Sequence, residues 1–153
     1  MAVKSFQGPR AEQKKESKES ILVSDYMTKK LITFSPNQSI LEIMEQFIQH
    51  GISGGPVVDA SGKLVGIISE ADCMKQISDS RYFNMPILNK QVSYFMTSKV
   101  QTISHDASIF EAASLFHSNS RRRLPVMNND KLVGQISRKD VVIAALKLCS
   151  QRW

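Results

Sequence analysis

Hydrophobic and polar positions change period several times along the first half of the chain, and each change marks an element. Leu31-Ile32-Thr33-Phe34 is a short β-type run, and Ser35-Pro36-Asn37 ends it with turn residues. Ser39 stands three residues before Glu42, the spacing of a reciprocal helix cap. Ile40, Ile43, Met44, Phe47 and Ile48 then follow at helical spacing, predicting one apolar stripe that Gly51 closes. Gly55 to Val58 and Leu64 to Ile68 read as two strands around the four-residue loop Asp59-Ala60-Ser61-Gly62. A last helix is predicted from Glu70 to about Ser78.

The same plan recurs, with strands at Val100 to Ile103, Leu124 to Met127 and Leu132 to Ile136, and helices at Ser108 to about Ser118 and Arg138 to Cys149. The residues repeat with it. Met27-Thr28 answers Met96-Thr97, Thr33 answers Thr102, Ser39-Ile40-Leu41-Glu42 answers Ser108-Ile109-Phe110-Glu111, and Pro56-Val57 answers Pro125-Val126. Both copies close on Gly-x-Ile-Ser-x-x-Asp, from Gly66 to Asp72 and from Gly134 to Asp140. An internal repeat sets architecture, because each copy is a supersecondary unit that needs the other to cover its apolar face. The expected fold is α+β, two pseudo-symmetric β-α-β-β-α units packed as an intramolecular pair. Residues 21–78 form repeat one and 91–150 repeat two. Residues 79–90, with Pro86, form a linker, and 1–20 a polar tail expected to be disordered or loosely helical.

Composition narrows the class. At 153 residues the chain has enough material for a sizeable core only if the halves share it. No apolar run approaches the ~20 residues of a membrane span, and no secretory leader pattern opens the chain. Cys73 and Cys149 have neither metal nor redox spacing, which suits a reducing, cytoplasmic setting and core positions for both thiols. The formal charge of +6 draws on the tail lysines and on Arg121-Arg122-Arg123. Nucleic acid is an unlikely partner, since no interleaved aromatics or recognisable module accompany the arginines.

These phrases, twice in order and at matching spacing, resemble the CBS domain, the nucleotide-sensing module named after cystathionine beta-synthase. The resemblance covers residues 24–147. It implies a pair around a pseudo-twofold axis with two clefts, dimerisation into a flat disc, and adenosine nucleotides (AMP, ADP or ATP) as ligands. It assigns a phosphate role to Ser69 and Ser137 and a ribose role to Asp72 and Asp140. Thr33, Thr102 and their neighbours fall near the base, so that Leu31, Gly55, Pro56 and Pro125 join the candidate nucleotide-binding residues.

Residue chemistry supports the same roles by a separate route. A short hydroxyl at a helix start, beside free N–H groups, suits a phosphate oxygen, and a carboxylate one turn on can accept ribose hydroxyls. Ser-x-x-Asp is equally a helix N-cap that needs no ligand, and both uses can coexist. The copies differ in charge. Arg121, Arg122 and Arg123 precede Leu124-Pro125, and Arg138 and Lys139 lie inside the second closing motif, whereas Ile52-Ser53-Gly54 precede Gly55-Pro56. The second cleft is therefore expected to prefer more highly charged nucleotides, and the Gly54-Gly55 pair to admit backbone or a flat base.

The expected function is a regulatory sensor acting on a separate, unidentified protein, without enzymatic activity or a required cofactor. The alternative is an interaction scaffold with degenerate clefts. Gly51-Ile52-Ser53-Gly54-Gly55 matches a hydrolase nucleophile pattern, but the helix precedes it and the strand follows, the reverse of a nucleophile elbow. His50, His105 and His117 share no register or metal spacing and are expected at the surface. Val141, Val142, Ala144, Ala145, Leu146 and Leu148 make the last helix apolar on more than one side, which predicts a homodimer.

Overall fold

The computed structural model describes residues 21–82 and 90–150. The expected tail at 1–20 and residues 83–89 of the expected linker lie outside the described residues. Repeat one comprises α1 (Ile40–His50), β1 (Gly54–Val58), β2 (Leu64–Ser69) and α2 (Glu70–Tyr82). Repeat two comprises β3 (Ile103–Ser104), α3 (Ile109–Ser118), β4 (Arg123–Asn128), β5 (Lys131–Ser137) and α4 (Arg138–Ser150).

Local chemistry explains where these elements start and stop. Ser39 Oγ accepts from Glu42 N at 3.2 Å, and Ser108 Oγ from Glu111 N at 3.1 Å, so each first helix opens on the expected cap. Gly51 ends α1 in the left-handed conformation at φ 61°, where a side chain would be strained. The turn between β1 and β2 is held by Asp59, whose Oδ1 accepts from Ser61 N, Ser61 Oγ and Lys63 N. These bonds hold its carboxyl below the usual carboxylate range, Ser61 contributing most. β1 and β2 pair antiparallel; β4 pairs antiparallel with β5 and parallel with β3.

Several expectations are corrected. Residues 31–34 form no strand. Phe34 alone bridges Val57, because the preceding residues carry the chain from repeat two, where Thr28 bridges Gln135, back to repeat one. α2 continues to Tyr82, four residues into the expected linker. Ile48 is 85% exposed, turned away from the buried Ile40, Ile43 and Phe47. Cys149 is exposed, since five residues from the buried Ala144 is about 140° around a helix. Cys73 is buried as expected, and burial, then Asp72 and Glu70, pushes its thiol up to about 11. Gln76 is 4% exposed with an Oε1 that finds no hydrogen-bond partner, where the equivalent residue of repeat two is Ala144.

The two halves do not share one core. They have two, and each is completed by the segment that precedes the other repeat. Val23, fully buried, joins Ile103, Ile109, Phe116, Leu124 and Ile136 of repeat two, with Tyr26 and Met27 packed beside it. Val92, also fully buried, joins Phe34, Ile40, Phe47 and Ile68 of repeat one, with Phe95 and Met96 beside it. Backbone bonds fasten both straps in the same register: Val23 N to Ala107 O and Ser24 N to His105 O, against Val92 N to Gln38 O and Ser93 N to Pro36 O. At its far end the first strap exchanges two bonds between Thr28 and Gln135. The second does so between Thr97 and Ile67.

Candidate functional site

Each closing motif is a strand that passes into a helix with no intervening residue, β2 into α2 at Ser69–Glu70 and β5 into α4 at Ser137–Arg138. At the first junction Ser69 N and Ser69 Oγ donate to Asp72 Oδ2 at 2.8 and 3.0 Å. At the second, Ser137 N and Oγ donate to Asp140 Oδ2 at 2.8 and 2.9 Å, and Asp140 N donates back to Ser137 Oγ at 3.2 Å. The serine and aspartate therefore form a cap in both copies. Both pairs are half-buried, and among the described residues Oδ1 of each carboxylate accepts no hydrogen bond. Each corner thus offers one uncommitted carboxylate oxygen beside the positive end of a 13-residue helix.

In repeat one, Gly54 lies opposite Ser69 across the hairpin, and Phe34 N donates to Pro56 O at 2.9 Å. Gly55 and Pro56 lie on β1, whose Gly54 end meets Ser69, and Ile32 O and the Phe34 ring lie against Gly55. Thr33 is exposed and Leu31 half-buried. Of the two approaches expected at the glycine pair, backbone or a flat base, the structure shows backbone, joined by a ring of the protein itself. A Cβ on Gly55 would lie 2.8 Å from the Phe34 ring and 3.0 Å from Ile32 O, and one on Gly54 would lie 2.8 Å from Ile68 O.

In repeat two, Arg123 lies opposite Ser137, and Pro125 opposite Gln135. Arg138 N donates to Arg122 O, and Arg138 Nε to Arg121 O at 3.0 Å, so the backbone of the arginine run is tied to the first turn of α4. Arg121 and Arg122 are exposed and Arg123 half-buried. The equivalent of Arg123 is Gly54, whose surroundings leave no room for a Cβ, so the charge difference between the corners is built into the backbone.

Thr102 is exposed and precedes β3, whose Ile103 pairs with Val126 next to Pro125. The threonine lines a cleft of about 330 Å³ with Lys63, Leu64, Ser98, Val100, Met127, Asn129 and Asp130, at the turn ends of the two hairpins. None of the closing-motif residues line it. Lys63, Asn129 and Asp130 are not among the sequence candidates, because no local spacing signals that both hairpin turns meet at one cleft. His50 and His117 are exposed as expected. His105 is half-buried, its carbonyl accepts from Ser24 N of the first strap, and its Nδ1 is buried without a hydrogen-bond partner, which corrects the expected surface position. Among the described residues no group of three His, Cys, Asp or Glu is placed to hold a metal ion. Nor is any helix among them long and apolar enough to cross a membrane.

The CBS domain model matches twice, at residues 23–79 and 91–147. An uncharacterized protein of Methanocaldococcus jannaschii, MJ1426, is 30% identical over 84% of this chain and 93% of its own length. Of two longer relatives the chain spans 39% and 22%. Among solved structures, CBSX2, a CBS-pair protein from Arabidopsis thaliana, in complex with AMP, aligns with a TM-score of 0.74 at 29% identity, over 84% of this chain and 98% of that one. The CBS domain pair of protein MJ0100, in complex with 5-methylthioadenosine and S-adenosyl-L-methionine, aligns at 0.67 and 29% identity, over 88% of this chain and all of that one. Two motif copies, two cross-strapped β-α units and two matches to one family model lead to the same conclusion: the chain belongs to the CBS domain family and carries a tandem pair of its repeats.

Proposed function

We propose that the chain is a regulatory sensor of adenosine nucleotides, AMP, ADP or ATP, whose bound state is read by a separate protein. The observation that carries this reading is the Ser–Asp pair, built the same way at both strand-to-helix junctions with one carboxylate oxygen uncommitted. The similarity to CBSX2, solved with AMP, supports it. In this reading Asp72 and Asp140 hold ribose hydroxyls, and Ser69, Ser137 and the helix N–H groups face phosphate. Leu31, Thr33, Gly55, Pro56, Thr102 and Pro125 stand on the base side. Arg121, Arg122 and Arg123, helped by Arg138 and Lys139, draw the more highly charged nucleotides to the second corner. The first corner has Glu70 and Ala71 at the positions of that last pair. The role calls for no catalysis and no resident cofactor, and its setting is cytoplasmic.

Thermal melting with AMP, ADP, ATP and adenosine tests this reading. A ligand at 100 times its dissociation constant contributes about 2.7 kcal/mol, roughly 5–10 °C for a chain of this size. Alanine at Arg121, Arg122 and Arg123 together should weaken ATP more than adenosine. No shift with any adenosine compound would favour the scaffold reading, which is consistent with carboxylates already capped by their own serines.

The same proposal includes a homodimer through α2 and α4. Val142 (57%), Ile143 (40%) and Leu146 (66%) on α4, and Met74 (57%) on α2, leave large apolar side chains exposed. Light scattering should give twice the chain mass at micromolar concentration, and a monomer there would exclude it.

A further inference from the structure

The straps end on a matched pair of contacts that the nucleotide reading does not use. Met27 lies against Gly134 of repeat two, and Met96 against Gly66 of repeat one. A Cβ on Gly134 would lie 2.5 Å from Met27 Sδ, and one on Gly66 would lie 2.6 Å from Met96 Sδ. Each sulfur fills the space where a side chain would stand. The polar atom nearest each of those points is a carbonyl oxygen, Thr28 O at 2.9 Å and Thr97 O at 3.1 Å. Both methionines are only partly buried. Each sits beside a two-bond bridge, Thr28 with Gln135 and Thr97 with Ile67, two residues before the closing serine.

We propose that Met27 and Met96 form a peroxide-sensitive latch between the two repeats. A hydroperoxide oxidises each thioether by two electrons: the sulfur lone pair forms an S–O bond, the O–O bond breaks, and the departing oxygen leaves as water or an alcohol. The sulfoxide oxygen is a bulky hydrogen-bond acceptor added where the sulfur already fills the space over the glycine and the neighbouring polar atom is itself an acceptor, so it pushes the strap off its glycine. The equivalent placement of both residues makes the two straps release under the same signal. Methionine sulfoxide reductases restore the thioether, so the change is reversible.

The experiment treats the full chain with graded hydrogen peroxide and maps oxidised methionines by mass spectrometry. Melting temperature and amide hydrogen exchange at Thr28, Ile67, Thr97 and Gln135 are followed alongside, all without nucleotide. Every sample carries Met74→Leu, so that oxidation on the apolar face of α2 does not enter the melt, and N-acetylmethionine amide in the same solution gives the reference rate of oxidation. Oxidation of Met27 and Met96 should then lower the melting temperature by roughly 5 °C or more and speed exchange at the four amides. The Met27→Leu/Met96→Leu variant should keep its melting temperature under the same peroxide, and each single variant should keep about half the loss. The proposal is overturned if both sulfoxides form without a fall in melting, if neither methionine oxidises under peroxide that fully converts the reference methionine, or if the leucine variants lose as much as the parent. None of these outcomes depends on nucleotide binding.

Discussion

Asp140 has two duties, and they can be separated. Its Oδ2 receives Ser137 N and Oγ, which caps α4, while Oδ1 is the acceptor offered to a ribose. Asp140→Ala should therefore cost about 0.5–2 kcal/mol of stability through the lost cap and about 1–3 kcal/mol of ligand affinity through the lost acceptor. Melting without ligand reads the first effect, and calorimetric titration with AMP or ATP the second. A variant that is destabilised yet binds at the second corner with parental affinity would leave Asp140 as a cap only. The residue chemistry of both corners was legible in the sequence because Ser-x-x-Asp is a local motif, its partners within one helical turn. The fate of the Gly54-Gly55 space was not. What fills it is Ile32 O, the Phe34 ring and Ile68 O, all remote in sequence.

Among the elements, the helices opened where their caps predicted, since a cap is decided by residues three apart. The strand expected at residues 31–34 failed because pairing depends on where the chain must go. Those residues span the gap between a bridge on Gln135 and a bridge on Val57. The glycine of each closing motif is explained at this scale. Gly66 and Gly134 adopt ordinary strand backbone, and their lack of a side chain serves the crossing strap. Gly66→Ala and Gly134→Ala should each cost about 1–3 kcal/mol by overpacking against a methionine sulfur and a backbone carbonyl. Thermal denaturation checks this, and an unchanged melting temperature in both variants would mean that the straps are not tightly seated.

For the whole molecule, the repeats as units of sequence and the cores as units of packing are different objects. Repeat two as residues 91–150 lacks Val23, whose full burial contributes about 1.5–3 kcal/mol, together with the cover of Tyr26 and Met27. Expressed alone, it should melt without cooperativity and bind a hydrophobic dye, whereas residues 21–150 should melt in one cooperative step. A cooperative melt of 91–150 would show that the first strap is dispensable. By itself the sequence determined the twofold plan, the helix caps, the hairpins and the serine–aspartate corners, because these rest on periodicity and on contacts a few residues apart. It also held the mark of the crossing, in the Met-Thr and the glycine that each copy repeats. Only the tertiary structure decided that Met27 meets Gly134 and Met96 meets Gly66. Either repeat could have taken its own strap with the same local patterns. Which core accepts it depends on the path of the chain between bridges, and no short-range spacing encodes that.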